Sequence, residues 1–269
     1  MMKISMRILC SILVYNFWYL FCTIRASENS TETNLKGRIV SGDEASPGQF
    51  PYQIVLFLNG AQHCGGTIID ANHVVTAAHC LFHHGDPIKP YELLIKAGHI
   101  SLNNETIQEY PVIKVITHKK FKSKIFLNDI GILQVGIRFQ LENGVLEAVA
   151  LERNTIADGT TCLVSGWGIQ KQNTTIMPET LHYAEVQIIN RKKCNTMYGD
   201  YMKIYKEMLC AANEKNFADA CDGDSGGPLV CANKLVGIVS CGLGCGLPPY
   251  PGVYTNVAKY HSWITSIID

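Results

Sequence analysis

The segment Asp219-Ala-Cys-Asp-Gly-Asp-Ser-Gly-Gly-Pro228 places one serine, Ser225, after an acidic residue and before two glycines. A serine hydroxyl is a poor nucleophile at neutral pH and needs a neighbouring base to take its proton. Glycines beside it favour a tight turn whose backbone N–H groups can face a substrate oxygen. The segment therefore predicts a nucleophile loop, for which the rest of the chain must supply a histidine and a carboxylate.

The composition favours a globular chain built from many short strands. The 269 residues include 23 basic and 23 acidic residues, and 47% of the chain is hydrophobic. That length can bury one large core or two smaller ones, and a formal net charge of zero gives no reason to expect a nucleic-acid partner. Glycines (23) and prolines (10) spread along the chain suit many short strands joined by turns.

Residues 1–26 have the pattern of a secretory signal peptide. Lys3 and Arg7 form a basic flank, Ile8 to Cys22 is an apolar run, and Ala26 is a small residue suited to a cleavage site. The alternative is a membrane anchor that stays attached, but the apolar run is shorter than the ~20 residues of a spanning helix. The sequence therefore predicts a secreted, extracellular protein, with a membrane-tethered form as the alternative.

Cysteine usage agrees with secretion. Two of the eleven cysteines lie in the predicted signal peptide, and the other nine are Cys64, Cys80, Cys162, Cys194, Cys210, Cys221, Cys231, Cys241 and Cys245. A secreted chain with so many cysteines is expected to form disulfides, and nine is odd, so one thiol should be left over. The sequence has no paired CxxC motif of the zinc type, so neither a metal nor a cofactor is predicted. Sequons at Asn29, Asn104 and Asn173 also fit a secretory route.

Apolar runs bounded by turn residues predict two successive sets of strands. Asn59-Gly60 is a strong hairpin signal between the first two runs. The predicted strands are Gln53–Leu58, His63–Ile69, Leu93–Ala97, Val112–Thr117, Thr161–Gly168, Val186–Ile189, Leu229–Cys231, Leu235–Ser240 and Gly252–Thr255. Apolar residues at helical spacing from Val257 to Ile268 predict a C-terminal helix that docks on the core, whereas residues 190–209 read as a polar excursion.

Two residues are candidates for the base and the carboxylate. His79 ends the run His73-Val-Val-Thr-Ala-Ala-His-Cys80, and Asp129 is followed by a strand-like Ile-Gly-Ile-Leu133. Each has an ordinary explanation when taken alone, since a histidine can be a satisfied core residue and most such acids lie in turns. Their significance depends on whether the fold brings them to Ser225.

Together these segments resemble the trypsin-like serine proteases of the chymotrypsin family. Six motifs occur in the family's order between Ile39 and Asp269: Ile39-Val-Ser-Gly42, Thr76-Ala-Ala-His-Cys80, Asp129-Ile-Gly-Ile-Leu133, Gly166-Trp-Gly168, Gly223-Asp-Ser-Gly-Gly-Pro228 and Pro251-Gly-Val-Tyr-Thr255. The resemblance implies an all-β fold of two six-stranded antiparallel β-barrels, with the active site in the cleft between them and a C-terminal helix. It also implies an endopeptidase with protein or peptide substrates and protein protease inhibitors as partners.

The resemblance also implies a role for each matching residue. Ser225 is the expected nucleophile, His79 the general base, and Asp129 the acid that orients the imidazole and stabilises its charged form. The backbone N–H groups of Gly223 and Ser225 are expected to form the oxyanion hole. A non-catalytic binding homologue is the alternative class of function, but it would need a damaged triad or oxyanion loop, and neither occurs here.

Asp219, six residues before Ser225, matches the base of the family's primary specificity pocket. A carboxylate there pairs with a substrate Arg or Lys, and an uncharged substrate would leave it buried and unpaired. Ser240, Gly242 and Gly252 match substrate-binding positions of the same pocket, where the glycines leave room for a long basic side chain. The resemblance therefore implies cleavage after Arg or Lys.

The segment before the first motif carries an expected activation switch. Residues 27–38 are polar and open to proteolysis, and the residues alone allow either a processing site after Arg38 or an ordinary linker. The resemblance implies that an activating protease cuts after Arg38 and that the freed Ile39 ammonium pairs with Asp224. The expected layout is a signal peptide (1–26), an activation propeptide (27–38) and a monomeric peptidase domain (39–269), with barrels at about 39–148 and 149–269.

Eight cysteines pair by position in the resembling family: Cys64–Cys80, Cys162–Cys231, Cys194–Cys210 and Cys221–Cys245. Cys241 is left over and stands where relatives usually have a Trp that lines the cleft; its thiol is either partly buried or open to oxidation. His99 stands where calcium-binding relatives carry their first acid, so calcium is not expected. The lysines at positions 119, 120, 122 and 124 read as a solvated face, with an exosite as the alternative.

Overall fold

The structure is a computed structural model that describes residues 42–141, 144–170, 176–213, 215 and 219–269. These ranges include every predicted strand and the candidate residues His79, Asp129 and Ser225. The predicted signal peptide (1–26) and propeptide (27–38) lie outside them, as does Ile39. No helix in the described ranges is long and apolar enough to cross a membrane.

The N-terminal part of the chain forms a closed barrel of six antiparallel strands. The strands up to residue 135 are β1 (Asp43–Glu44), β2 (Gln53–Leu58), β3 (Ala61–Ile68), β4 (His73–Thr76), β5 (Phe82–His83), β6 (Asp86–Pro87), β7 (Leu93–Ala97), β8 (Gln108–Thr117) and β9 (Gly131–Val135). The barrel has the order β2–β3–β4–β9–β8–β7, and β7 pairs back with β2. Strands β5 and β6 form a separate short hairpin.

The C-terminal part forms a second closed ring of six antiparallel strands. The strands of this part of the chain are β10 (Ala150–Leu151), which lies outside the ring, and the six ring strands β11 (Thr161–Gly166), β12 (His182–Ile189), β13 (Met208–Ala212), β14 (Pro228–Cys231), β15 (Lys234–Cys241) and β16 (Gly252–Asn256). The ring runs β12–β11–β14–β15–β16–β13 and closes through the pairing of β13 with β12. The predicted fold class, two six-stranded antiparallel barrels, is therefore confirmed.

The predicted hairpin between the first two barrel strands is also confirmed. Asn59 and Gly60 join β2 to β3 and have φ angles of 49° and 83°. Both lie in the left-handed region, which Asn and Gly adopt at lower cost than other residues. This turn sets the pairing of Leu58 with Ala61, and an irregularity between Leu56 and Phe57 then shifts the register by one residue, so that Gln53 faces Thr67.

One strand crosses from the start of the described chain to the second barrel. Asp43 and Glu44 in β1 pair with Tyr183 and His182 of β12, which belongs to the C-terminal ring. Strand β10 similarly adds to β15 in parallel. The predicted division of the chain near residue 148 remains a prediction, because β1 lies before that boundary and pairs beyond it.

Two α-helices lie in the described part of the chain. Helix α2 (His261–Ile268) follows a 3-10 turn at Val257–Lys259 and confirms the predicted C-terminal helix. Helix α1 (Arg191–Tyr198) falls in the stretch that the sequence indicates only as polar. Asn190 begins α1 as its N-cap, since its side-chain oxygen accepts hydrogen bonds from the backbone N–H groups of Lys192 and Lys193.

The largest buried cluster joins the first barrel to the C-terminal helix. It contains Ile54, Val74 and Leu133 from the barrel strands together with Ile264 of α2, all without solvent exposure. Burying such side chains contributes about 1.5–3 kcal/mol each. The helix therefore completes the apolar surface of a barrel that was made from residues far earlier in the chain.

We expect Ile54→Ala to lower the free energy of unfolding by about 2–5 kcal/mol, because it leaves a cavity in this fully buried cluster. The matched control is Ile113→Ala on β8, where the side chain is 56% exposed and the expected loss is below about 0.5 kcal/mol. Urea denaturation of both variants measures the difference. Equal losses would contradict this assignment of the core.

Candidate active site

The pairing of β4 with β9 brings His79 and Asp129 together. Thr76 at the end of β4 faces Gly131 at the start of β9, so the residues just beyond one strand meet those just before the other. The Asp129 Oδ2 atom lies 2.7 Å from His79 Nδ1, and Asp129 Oδ1 accepts a hydrogen bond of 2.8 Å from the His79 backbone N–H. This contact occupies Nδ1 and leaves Nε2 as the ring nitrogen able to accept a proton.

Asp129 is completely buried, and both barrels contribute to its hydrogen bonding. The hydroxyl of Ser240, in β15 of the second barrel, donates to Asp129 Oδ2 at 2.6 Å. The hydroxyl of Thr255, in β16, donates to the Asp129 carbonyl oxygen at 2.6 Å. The sequence predicts Ser240 as a substrate-binding residue but does not indicate the bond from its hydroxyl to Asp129.

The loop that carries Ser225 is held against the first barrel. The Ser225 carbonyl oxygen accepts a 2.7 Å hydrogen bond from the backbone N–H of Gly65. The Cys80 sulfur lies 3.6 Å from that same oxygen and 3.7 Å from Nε2 of His79. The Ser225 backbone and the His79 ring thus lie on either side of the same sulfur atom, where the serine loop meets the first barrel.

Glycine is required on the C-terminal side of the serine. Gly226 has a φ of 81°, and a Cβ atom there would lie 2.1 Å from Thr76 Oγ1 and 2.6 Å from the Gly65 carbonyl oxygen. Contacts below 3.0 Å with backbone cannot be relieved by a small side-chain movement. The close approach of the serine loop to the first barrel therefore depends on the missing side chain.

The backbone N–H groups around Ser225 fall into two groups. The N–H group of Asp224 donates to the Cys221 carbonyl oxygen, that of Gly226 to the Val239 carbonyl oxygen, and that of Gly227 to the Asp224 carbonyl oxygen. The N–H groups of Gly223 and Ser225 have no acceptor within the described ranges. Gly223 has a φ of 97°, which glycine adopts without strain. The two N–H groups that the family resemblance assigns to the oxyanion hole are thus available to an oxygen outside the chain.

Asp224 lies almost completely buried behind the serine. Its carboxylate accepts hydrogen bonds of 2.8 Å from the Gly168 N–H and 2.9 Å from the Cys221 N–H. A Cβ atom at Gly166 would lie 2.0 Å from the same carboxylate, so glycine is needed beside it. Burial raises the pKa of Asp224 to about 6. Within the described residues this acid forms no ion pair.

Asp219 is a second buried carboxylate, only 3% exposed. It accepts hydrogen bonds from the backbone N–H groups of Ala220 (2.8 Å) and Gly246 (3.3 Å), and burial raises its pKa to about 7. A Cβ atom at Gly252 would lie 2.4 Å from its Oδ1. At Gly242 the nearest atom to such a Cβ would be the Gly244 carbonyl oxygen at 3.4 Å, so that position is less restricted.

A cavity of about 230 Å³ also borders Asp219. Its other walls are mainly apolar and come from Ile189, Met197 and residues 247–251. Ser240, Gly242 and Gly252 do not line it. The residues predicted to form the wall of the specificity pocket thus do not form this cavity.

All four disulfides occur as the family resemblance implies: Cys64–Cys80, Cys162–Cys231, Cys194–Cys210 and Cys221–Cys245. The first anchors the turn that bears His79, and the last links the Asp219 segment to the loop before Gly252. Because Cys64 and Cys80 are bonded to each other, their proximity to His79 is not a metal site. Cys241 takes part in none of the four, and its sulfur lies 3.9 Å from the Met202 sulfur.

Phe126 is a neighbour of the site that the sequence does not indicate. Its ring meets the His79 imidazole edge to face, with centroids 5.5 Å apart. Its backbone has a φ of 49°, an unusual conformation for an aromatic residue. The ring covers one side of the imidazole and limits the space beside it, so it helps to fix the orientation of the histidine.

Two closed barrels, with a histidine paired to a buried acid and a serine that two glycines follow, define a trypsin-like serine endopeptidase, a hydrolase. The family model described as Trypsin matches residues 39–264, and the chain belongs to that family. It is 37% identical to trypsin alpha of Drosophila erecta over 86% of this chain and 88% of the relative. It is 35% identical to ovochymase of Halocynthia roretzi, of which it covers 16%.

Among solved structures, the chain resembles neuropsin, described as a serine protease expressed in the limbic system of mouse brain. The TM-score is 0.77 at 35% sequence identity, over 85% of this chain and 99% of that one. The agreement extends over both barrels, so the shared architecture is not limited to the motifs around the serine.

We expect Asp129→Asn to lower kcat/KM for peptide hydrolysis by about 10³-fold or more, the range known for Ser–His–Asp enzymes in general. The reason is the loss of the charge that faces His79 Nδ1. Asp70→Asn is a matched control, since Asp70 Oδ2 lies 2.8 Å from Nδ1 of His73 in a pair outside the site. Steady-state kinetics should show less than about a twofold change for the control. Similar losses in both variants would refute the assignment of Asp129.

Proposed function

We propose that this chain is a secreted zymogen which, after cleavage at Arg38, hydrolyses peptide bonds that follow Arg or Lys. The observation that carries the proposed specificity is the buried carboxylate of Asp219. It lies beside Gly252, where a Cβ atom would overlap the carboxylate, so only glycine fits at position 252. A buried carboxylate is costly unless a positive charge pairs with it. A substrate Arg or Lys side chain supplies that charge on binding.

The proposed reaction proceeds through an acyl-enzyme. The Ser225 oxygen attacks the scissile carbonyl carbon while Nε2 of His79 takes the hydroxyl proton. Asp129, bonded to Nδ1, stabilises the resulting imidazolium. The N–H groups of Gly223 and Ser225 stabilise the oxyanion, and the imidazolium then returns its proton to the leaving amine as the C–N bond breaks.

The second half of the reaction repeats these proton transfers with water. Nε2 of His79 takes a proton from water as the water oxygen attacks the ester carbonyl carbon of the acyl-enzyme. The tetrahedral intermediate again places its oxyanion against the two N–H groups. Collapse breaks the ester bond, the Ser225 oxygen regains its proton from the imidazolium, and the carboxylic acid product leaves.

Selectivity follows from the charge of Asp219 and the space beside it. An Arg or Lys side chain that reaches this carboxylate forms a charge-assisted hydrogen bond in a desolvated position. A substrate with Phe or Leu at the same place leaves Asp219 buried without a partner, which costs on the order of several kcal/mol. The peptidase should therefore cut after basic residues and cut poorly after aromatic ones.

Activation by cleavage gives the other buried acid its partner. Asp224 lies directly before Ser225, is buried, and receives two backbone hydrogen bonds but no cation within the described ranges. The proposed partner is the ammonium group of Ile39, freed by a protease that cuts after Arg38. Formation of this ion pair fixes the loop that carries Gly223 and Ser225, and thereby the oxyanion hole.

The remaining parts of the proposal concern the chain before Ile39 and its surroundings. Residues 1–26 act as a signal peptide that directs secretion, and residues 27–38 form the propeptide of the 39–269 peptidase domain. The mature enzyme is a monomer in the extracellular space. Its partners are protein substrates, protein inhibitors and the protease that activates it.

We expect an Arg38→Gln variant to be secreted in an inactive form that trypsin treatment does not activate. The wild-type zymogen should gain activity on the same treatment, because cleavage frees the Ile39 ammonium. Labelling with a serine-directed phosphonylating reagent before and after trypsin, with N-terminal sequencing, measures this. The control is Lys36→Gln, two residues earlier, which should activate normally. A fully active Arg38→Gln product would refute the switch.

We expect an aryl amidine inhibitor to bind about tenfold more weakly at pH ~6 than at pH ~8. Burial raises the pKa of Asp219 to about 7, so the carboxyl group is charged above this pH and takes up a proton as the pH falls through it. The amidine stays positively charged throughout. Inhibition constants at several pH values measure the effect, and an uncharged carboxamide analogue serves as the control. A pH-independent inhibition constant for the amidine would contradict the proposed pairing.

A further inference from the structure

The described part of the chain has a groove of about 680 Å³ that is separate from the active site. Its rim carries Lys119, Lys120, Lys122, Lys206 and Lys259, and we call it the lysine groove. These lysines come from three distant parts of the chain: the turn after β8, the segment before β13 and the turn before α2. The fold therefore collects charges that are dispersed in the sequence.

The charge of the lysine groove differs from that of the whole chain. The chain balances 23 basic against 23 acidic residues, whereas five lysines and one acid, Glu207, line the groove. All five lysines are exposed, and within the described ranges none of them forms an ion pair. A concentration of unpaired positive charge on a neutral protein attracts an anionic partner.

The floor of the lysine groove is aromatic and apolar. Phe121, Leu127, Tyr260 and Trp263 line it. The ring of His118 lies edge-on to Tyr260 and Trp263, with centroid distances of 5.3 and 5.1 Å. Burial and the charge of Lys120 lower the pKa of His118, so this residue adds little positive charge. A ligand that matches the whole groove must carry both negative charges and apolar side chains.

Hydrogen bonds hold the groove in shape, and the chain itself connects it to the active site. The side-chain nitrogen of Asn128 donates to the Lys120 carbonyl oxygen at 2.7 Å, and the Tyr260 hydroxyl donates to the Asn128 side-chain oxygen at 2.9 Å. Asn128 directly precedes Asp129 in the chain. The groove is therefore a fixed surface adjoining the backbone that carries the buried acid.

We infer that the lysine groove is an exosite for an acidic, aromatic-containing segment of a protein substrate. The charges on the rim match Asp and Glu side chains, and the aromatic floor matches Phe or Tyr side chains between them. A sulfated glycan matches the rim alone, because it carries no apolar side chains. This inference rests on the endopeptidase activity of the family and is independent of the proposed activation and Arg or Lys specificity.

Binding of a labelled peptide tests the inference without any need for cleavage. The probe is a fluorescein-labelled peptide of about ten residues, long enough in extended form to cross the groove, with Asp and Glu around two Phe residues and no Arg or Lys. Anisotropy is measured with the secreted full chain in ~0.15 M salt, where only short-range charge interactions persist. A peptide with Asn and Gln in place of the acids, and one with Ala in place of Phe, are the controls.

The matched pair of protein variants is Lys120→Glu/Lys259→Glu in the groove and Lys89→Glu/Lys192→Glu elsewhere. All four lysines are exposed, and both double variants change the net charge equally. We expect the groove variant to bind the acidic peptide at least about tenfold more weakly, and the control variant to differ by less than about twofold. Near-ultraviolet circular dichroism of both variants verifies that they fold.

Three results would overturn the inference. The first is equal loss in both double variants, which would indicate a general charge effect. The second is equal binding of the probe peptide in which Ala replaces Phe, which would show that the aromatic residues of the groove do not contact the peptide. The third is tighter binding of a sulfated oligosaccharide of matched charge, which would assign the groove to a glycan. A supporting kinetic result is a lower KM for a protein substrate that carries the acidic segment, with kcat/KM for a tripeptide substrate unchanged.

Discussion

The burial of the Asp129 side chain is the constraint on which the rest of the structure depends. A carboxylate removed from water costs on the order of several kcal/mol unless hydrogen bonds replace its hydration. Asp129 receives these bonds from His79 in the first barrel and from Ser240 in the second. Neither barrel alone satisfies this acid, so the two must meet at this point. The cleft in which the His79 imidazole is exposed forms because the two barrels meet at Asp129.

Glycine allows three further close approaches around the same point. Gly226 lets the serine loop reach the backbone of the first barrel, Gly166 makes room for Asp224, and Gly252 makes room for Asp219. In each case a Cβ atom would overlap an oxygen at 2.0–2.4 Å. The carboxylates of Asp219 and Asp224 can thus lie in the same segment as Ser225, because the residues that face this segment are glycines without side chains. The stability that these acids cost is offset by the four disulfides and by the buried apolar clusters, of which the largest joins the first barrel to helix α2.

Much of this arrangement could be predicted from the sequence, because short motifs of the family mark His79, Asp129 and Ser225 directly. Hairpins were also predictable, since Asn59 and Gly60 act through local backbone conformation. The features that the sequence does not indicate depend on distant contacts: the Ser240 bond to Asp129 and the ring of Phe126 against His79. The sequence indicates the lysines at 119, 120 and 122, but not that Lys206 and Lys259 join them in one groove. Helix α1 could not be predicted because a short polar helix has little apolar periodicity to reveal it.

The pairing of β1 with β12 has a consequence for how the chain is made. The pairing of Asp43 with Tyr183 cannot form until Tyr183, which lies 140 positions later in the chain, has been synthesised. The buried cluster that contains Ile54 is likewise incomplete until Ile264 of α2 has been synthesised. Such long-range pairings delay folding, because the intervening loop must close first. A nascent chain halted between the barrels therefore exposes apolar and unpaired strand surfaces that chaperones can bind.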